Sequence, residues 1–92
     1  MAAPMLTLLS RDGCGLCEEF VAAFASHFPV AFGQLEVADV DSRPGWQGRY
    51  GLLIPVLLDD EGTVICETRF DADAVAAALA QVQVGAAREQ GR

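Results

Sequence analysis

Two cysteines three residues apart, Cys14 and Cys17, stand where a short apolar run gives way to a helical repeat. No other feature constrains the chain as much. At that spacing both thiols can face the first turn of a helix and join as a disulfide, and the same spacing also supplies half of a zinc site. The flanking residues define the junction. Met5 to Leu9 is almost continuously apolar and is broken by Ser10-Arg11-Asp12-Gly13, as a strand covered on both faces would be. From Leu16 the apolar positions become Phe20, Val21, Phe24 and Phe28, the three-and-four spacing of one helix face, with Pro29 stopping it. Glu18 and Glu19 put negative charge in the first turn, where it complements the helix dipole. The aromatic stripe reads as core.

Ninety-two residues suit one domain, read as residues 1–83 with residues 84–92 as a flexible tail. A chain of this size buries roughly two-thirds of its unfolded surface, enough for one core without staples. The formal charge of −7 argues against nucleic acid and anionic membranes as partners, since both would be repelled over most of the surface. The N-terminal stretch has no charged region ahead of its apolar run and no small-residue cleavage site, and no apolar run approaches the ~18 residues of a membrane span. A soluble, cytoplasmic monomer is the expectation. In that reducing compartment a closely spaced thiol pair is expected to cycle, not to staple.

The rest of the chain extends the pattern. Gln34 to Val40 alternates polar and apolar, which predicts a second strand with one face buried, parallel to the first if both share a sheet. Asp41-Ser42 offers cap chemistry and Pro44 suits a helix start, so a short helix to Tyr50 follows, ended by Gly51. Leu52 to Leu58 is the most apolar stretch, and Asp59-Asp60-Glu61-Gly62 turns it back into Thr63 to Glu67 as a hairpin. Pro55 cannot donate a ladder hydrogen bond and belongs at the start of its strand. Asp71 or Asp73 then caps a last helix with Val75, Ala78, Leu79 and Val82 on one face.

The order β-α-β-(α)-β-β-α, with the thiol pair between first strand and first helix and Ile54-Pro55 opening the third strand, resembles the thioredoxin-like α/β fold with a four-stranded mixed sheet. Within it the chain is most similar to small bacterial glutaredoxin-like proteins. Residues 5 to 82 carry the resemblance through Ser10-Arg11-Asp12-Gly13-Cys14-Gly15-Leu16-Cys17, Tyr50-Gly51-Leu52-Leu53-Ile54-Pro55-Val56-Leu57, and Gly62 with Asp71. The resemblance implies that Pro55 is a cis-proline packed against the thiol pair, leaving the Ile54 backbone to pair with an extended substrate.

At a helix N-terminus, unpaired backbone N–H groups stabilise a thiolate, which makes Cys14 the candidate nucleophile and Cys17, one turn further in, the resolving thiol. Arg11, three residues before Cys14, is close enough to lower its pKa or to meet a substrate carboxylate; a solvated loop arginine is the plain alternative. Zinc wants four ligands, and beyond the pair only Cys66 and His27 remain as soft donors, so no metal is expected. Cys66 reads as a small buried apolar residue, His27 as a solvent-facing helix-end residue, and Trp46 and Tyr50 as packing beneath the proline loop.

The chain departs from glutathione-using glutaredoxins, in which a Gly-Gly pair follows the last strand and holds glutathione. Here that stretch is Glu67-Thr68-Arg69-Phe70-Asp71, whose larger side chains oppose close backbone approach. Asp71 retains cap chemistry, and its backbone N–H is a candidate anion donor. The leading expectation is a glutaredoxin-like thiol–disulfide oxidoreductase without a cofactor, acting on a disulfide-containing protein or a small thiol, with glutathione a possible reductant or co-substrate. The alternative is a thioredoxin-like interaction module without redox turnover, using the Ile54-Pro55 edge to receive a peptide strand.

Overall fold

A computed structural model describes the backbone of residues 6–90 and the side chains of residues 6–81. Strand β1 (Leu6–Ser10) lies beside β2 (Leu35–Asp39) in parallel, with Leu6 opposite Leu35 and Ser10 opposite Asp39. On its other side β1 pairs antiparallel with β3 (Val56–Leu58), and β3 pairs antiparallel with β4 (Val64–Glu67). The result is a four-stranded mixed sheet of order β2-β1-β3-β4 in an α/β chain, the thioredoxin-like arrangement. Asp59 builds the β3–β4 turn: its carboxylate accepts from the Glu61 and Thr63 amides at 2.9 and 2.8 Å, and Gly62 takes a φ of +85°.

The pleat sorts alternate residues to two cores. Leu6 and Leu8 of β1 and Leu57 of β3 pack with Phe20 and Phe24 of helix α1 (Gly15–His27) and Val75 of helix α4 (Ala72–Gln90). Leu9, Val56 and Leu58 face the other way, against Val40, Tyr50 and the half-buried Trp46 and Ile54. Each fully buried Leu, Val or Phe contributes about 1.5–3 kcal/mol relative to exposure. Both layers therefore hold the central strands.

Three local features differ from the sequence reading. Helix α1 does end before Pro29, but Pro29 opens a further short helix, α2 (Pro29–Phe32), because a first-turn residue needs no N–H to donate. Phe32 then stacks near Phe24, with centroids 6.2 Å apart. The Asp41-Ser42 cap is displaced: Asp39 accepts from the Asp41 amide at 2.8 Å and caps a 3-10 turn over Val40–Ser42, while α3 (Pro44–Tyr50) starts after Arg43 with no side-chain cap. Val37, expected on the buried face of β2, is 53% exposed, on a strand that forms the edge of the sheet.

Helix α4 continues to Gln90, past Val82, the last member of the expected apolar face, whose side chain lies outside the described residues. Of the expected tail, the side chains and residues 91–92 lie outside the described residues. Among the described residues no helix is long and apolar enough to cross a membrane.

Candidate active site

The loop between β1 and α1 is shaped for a sulfur at the helix end. Gly13, at φ +80°, turns the chain, and the Cys14 amide donates to the Arg11 carbonyl at 3.2 Å. Cys14 is the N-cap of α1: its backbone is extended, its carbonyl accepts from the Glu18 amide at 3.1 Å, and its Sγ accepts from the Cys17 amide at 3.1 Å. Serine or aspartate oxygens ordinarily fill this role, relieving one of the unpaired N–H groups of the first turn. Negative charge at such a helix end is favoured by about 0.3–1 kcal/mol.

Cys14 and Cys17 are joined as a disulfide, with their Cα atoms 5.2 Å apart. Their surroundings are unequal. Cys17 is 2% exposed, whereas Cys14 is half-buried and reaches solvent at the rim of the loop.

A second loop approaches the same end of the sheet. Leu9 opposes Val56, so the preceding Pro55 lies level with Ser10, where β1 runs into the thiol loop. The Ile54–Pro55 peptide is cis and Pro55 is buried. Ile54 packs against the second core of Leu9, Val40, Tyr50, Val56 and Leu58, while its N–H and carbonyl take no backbone hydrogen bond among the described residues. Leu52 beside it is fully exposed and Leu53 partly so.

Thr68, just past β4, ties this loop down. Its amide donates to the Pro55 carbonyl at 2.6 Å and its hydroxyl to the Leu53 carbonyl at 3.1 Å. Thr68 adopts φ +69°, an outlier for a β-branched residue that costs roughly 1–2 kcal/mol and that the two bonds offset.

Arg11 is occupied elsewhere. Its Nε and Nη2 donate to the two oxygens of Asp41 at 2.8 and 2.9 Å, and Nη1 donates to the Gly51 carbonyl at 3.3 Å. The hydrogen bond to Asp41 raises the Arg11 pKa, and the same bond holds the Asp41 carboxyl below the usual carboxylate range. Arg11 thus fastens the thiol loop to the segment ahead of Pro55. A cleft of about 190 Å³ opens beside it at the carboxyl ends of β1 and β2, between Ser10, Arg11 and Asp12 on one wall and Val37, Ala38 and Asp39 on the other.

Asp71 caps α4, its carboxylate accepting from the Ala74 amide at 3.1 Å. Cys66 is half-buried opposite Leu57; burial pushes its thiol pKa up, a backbone hydrogen bond from Asp71 draws it down, and the Asp71 charge pushes it up again. His27 is exposed but not isolated, since its ring lies 5.1 Å from that of Phe70 and its Nδ1 is 2.9 Å from the Ala23 carbonyl.

Cys14, Cys17, Arg11, Ile54 and Pro55 are thus gathered at one end of the sheet, and Asp71 lies three residues past Thr68 at the start of α4. Sequence reasoning missed Asp41 and Thr68. No local signal announces a carboxylate 30 residues from its arginine or a threonine in a left-handed conformation.

The model of the Glutaredoxin-like domain (DUF836) matches residues 5–80. No curated protein matches the chain. Among solved structures, the crystal structure of target protein XcR50 from X. campestris is 34% identical, with a TM-score of 0.65, covering 83% of this chain and 96% of that one. The solution structure of Ne2328 from Nitrosomonas europaea is 28% identical, with a TM-score of 0.69, covering 84% and 92%. With most of its length matched, the chain belongs to the Glutaredoxin-like domain family.

Proposed function

We propose that the protein is a cytosolic, monomeric thiol–disulfide oxidoreductase in which Cys14 attacks and Cys17 resolves. The observation that carries the reading is the asymmetry of the pair: Cys14 caps α1 with its sulfur on a backbone N–H, and Cys17 is buried beside it. In the reduced protein the Cys14 thiolate attacks one sulfur of a substrate disulfide. That S–S bond breaks, its electron pair leaves on the other sulfur, and the released thiolate takes a proton from solvent. Cys17 then loses its proton and attacks the Cys14 sulfur, which frees the second substrate thiol and closes the protein disulfide. Two electrons have passed to the substrate, and a thiol reductant of the glutathione or dithiol class restores the pair.

On this reading Ile54 and Pro55 border an extended substrate, the start of α4 at Asp71 faces its anionic end, and Arg11 contributes through the loop it fastens. The substrate is a protein disulfide or a small thiol's disulfide. Redox titration in glutathione and dithiothreitol buffers tests it together with two variants. Reversible two-electron oxidation, loss of exchange in Cys14→Ser and a trapped mixed disulfide in Cys17→Ser are the expected results; unchanged exchange in Cys14→Ser overturns the mechanism.

A second reading, an interaction module without turnover, draws on the fully exposed Leu52 in the same loop as Ile54, whose backbone takes no backbone hydrogen bond among the described residues. A pair that never oxidises reversibly, while a peptide still binds, would favour it.

A further inference from the structure

We propose that Thr68 is the positioning residue of the substrate-binding edge: its hydroxyl and amide clamp the carbonyls on either side of Ile54 and so aim the Ile54 backbone outward. This rests on the dithiol reading above. The Thr68 hydroxyl donates to the Leu53 carbonyl at 3.1 Å and the Thr68 amide to the Pro55 carbonyl at 2.6 Å. Ile54, between those two acceptors, keeps its own N–H and carbonyl out of the backbone network of the described residues. The two clamped carbonyls cannot turn toward a substrate without losing a hydrogen bond, so Ile54 is the residue left to pair with a passing strand.

The backbone of Thr68 supports this assignment. A β-branched residue at φ +69° is disfavoured, and glycine or asparagine would reach that conformation with less strain. What threonine adds over glycine is the hydroxyl, and that hydroxyl is engaged on the proline loop. The sulfurs are not among the partners of Thr68, so the clamp governs where a peptide lies and not how readily Cys14 reacts.

That division yields a test on two matched probes. N-acetylcysteine amide and a longer peptide with the same cysteine at its centre are each prepared as the thiopyridyl mixed disulfide. The reduced protein attacks the cysteine sulfur, thiopyridone leaves with the bonding electron pair and a proton, and its absorbance reports the second-order rate. For wild type the peptide reacts faster than the short probe. Thr68→Gly, which relieves the backbone and keeps the amide, and Thr68→Val, which keeps the shape, both lose the hydroxyl; each lowers the peptide rate about fivefold, the value of one modest hydrogen bond, and leaves the short probe unchanged. Thr68→Ser restores the peptide rate.

Equal slowing of both probes in Thr68→Gly assigns Thr68 to general fold maintenance and overturns the inference. An unchanged peptide rate, or a wild type that does not favour the peptide, overturns it as well. None of these three results touches the dithiol reading; that reading falls, taking the inference with it, if wild type reacts with neither probe or if Cys14→Ser reacts as fast as wild type.

Discussion

Arg11 holds Asp41 through two parallel hydrogen bonds of 2.8 and 2.9 Å, joining the loop before the dithiol to the turn after β2. The pair is partly exposed, with 39% and 36% of the two side chains accessible, so salt will weaken it. Its importance is geometric, because the same guanidinium also reaches the Gly51 carbonyl ahead of the proline loop.

The Asp41 pKa is lowered in the folded protein, chiefly by its hydrogen bond from Arg11, which fixes the sign of its pH dependence. Its contribution to stability is present above the ordinary aspartate value, about 3.9, and is lost as pH falls through the lower folded value. Wild type is therefore slightly more stable than Asp41→Asn at neutral pH, and the gap closes on acidification and in high salt. Urea unfolding of both proteins from pH 7 downward checks this; a gap that widens in acid would contradict it.

Cys14 is expected to titrate below the ordinary cysteine range, about 8.5, because its sulfur lies on the α1 N-terminus and takes the Cys17 amide. The ultraviolet absorbance of the thiolate in a protein carrying Cys17→Ser and Cys66→Ala measures it without interference. A midpoint at or above the ordinary value would remove the electrostatic basis for calling Cys14 the nucleophile.

Cys66 behaves oppositely. Burial raises its pKa, so at neutral pH it is a thiol with restricted access. In the oxidised protein Cys66 is the free cysteine, and iodoacetamide will label it more slowly in the native state than in urea. Equal rates would mean that the β4 thiol is open to reagents.

Two glycines of the same segment should respond with opposite signs. A Cβ at Gly48 meets nothing within 4 Å, so Gly48→Ala stabilises α3 by about 0.5–1 kcal/mol. A Cβ at Gly51 would lie 2.6 Å from the Gln47 carbonyl oxygen and 3.4 Å from the Arg11 Nη2, so Gly51→Ala destabilises by roughly 1–3 kcal/mol. Chemical denaturation of the two variants reads both.

Phe24 is fully buried and contacts Phe28, Phe32 and Phe70 at centroid distances of 5.9, 6.2 and 6.2 Å. Truncation to alanine costs about 3–5 kcal/mol, a large part of the 5–15 kcal/mol typical of a domain. Phe24→Leu should recover much of it in the same urea assay.

What could be read before folding follows from the range of each interaction. The apolar run into β1, the aromatic spacing of α1 and the Asp59–Gly62 turn act over a few residues, and pattern reveals them. The mixed sheet and the placement of Cys14 and Cys17 followed from those local units and the family likeness. Features set by distant neighbours were not legible. The Arg11–Asp41 pair, the left-handed Thr68 and the exposure of Val37 depend on which strand became an edge and which loop met which. Pro29 shows a subtler limit, because a residue that ends one helix is equally suited to begin another.

Leu8 and Leu9 are consecutive, both without exposed surface, yet they belong to opposite cores. A slip of β1 by one residue would exchange the layers the two serve and bring Thr7 into the α1–α4 core where a leucine belongs. The dithiol loop hangs from the end of that strand, so the same choice sets how far Cys14 projects past the sheet. Insertions or deletions between Leu6 and Ser10 should therefore misplace the sulfur in proportion to the shift, making β1 the gauge that fixes the reach of the chemistry.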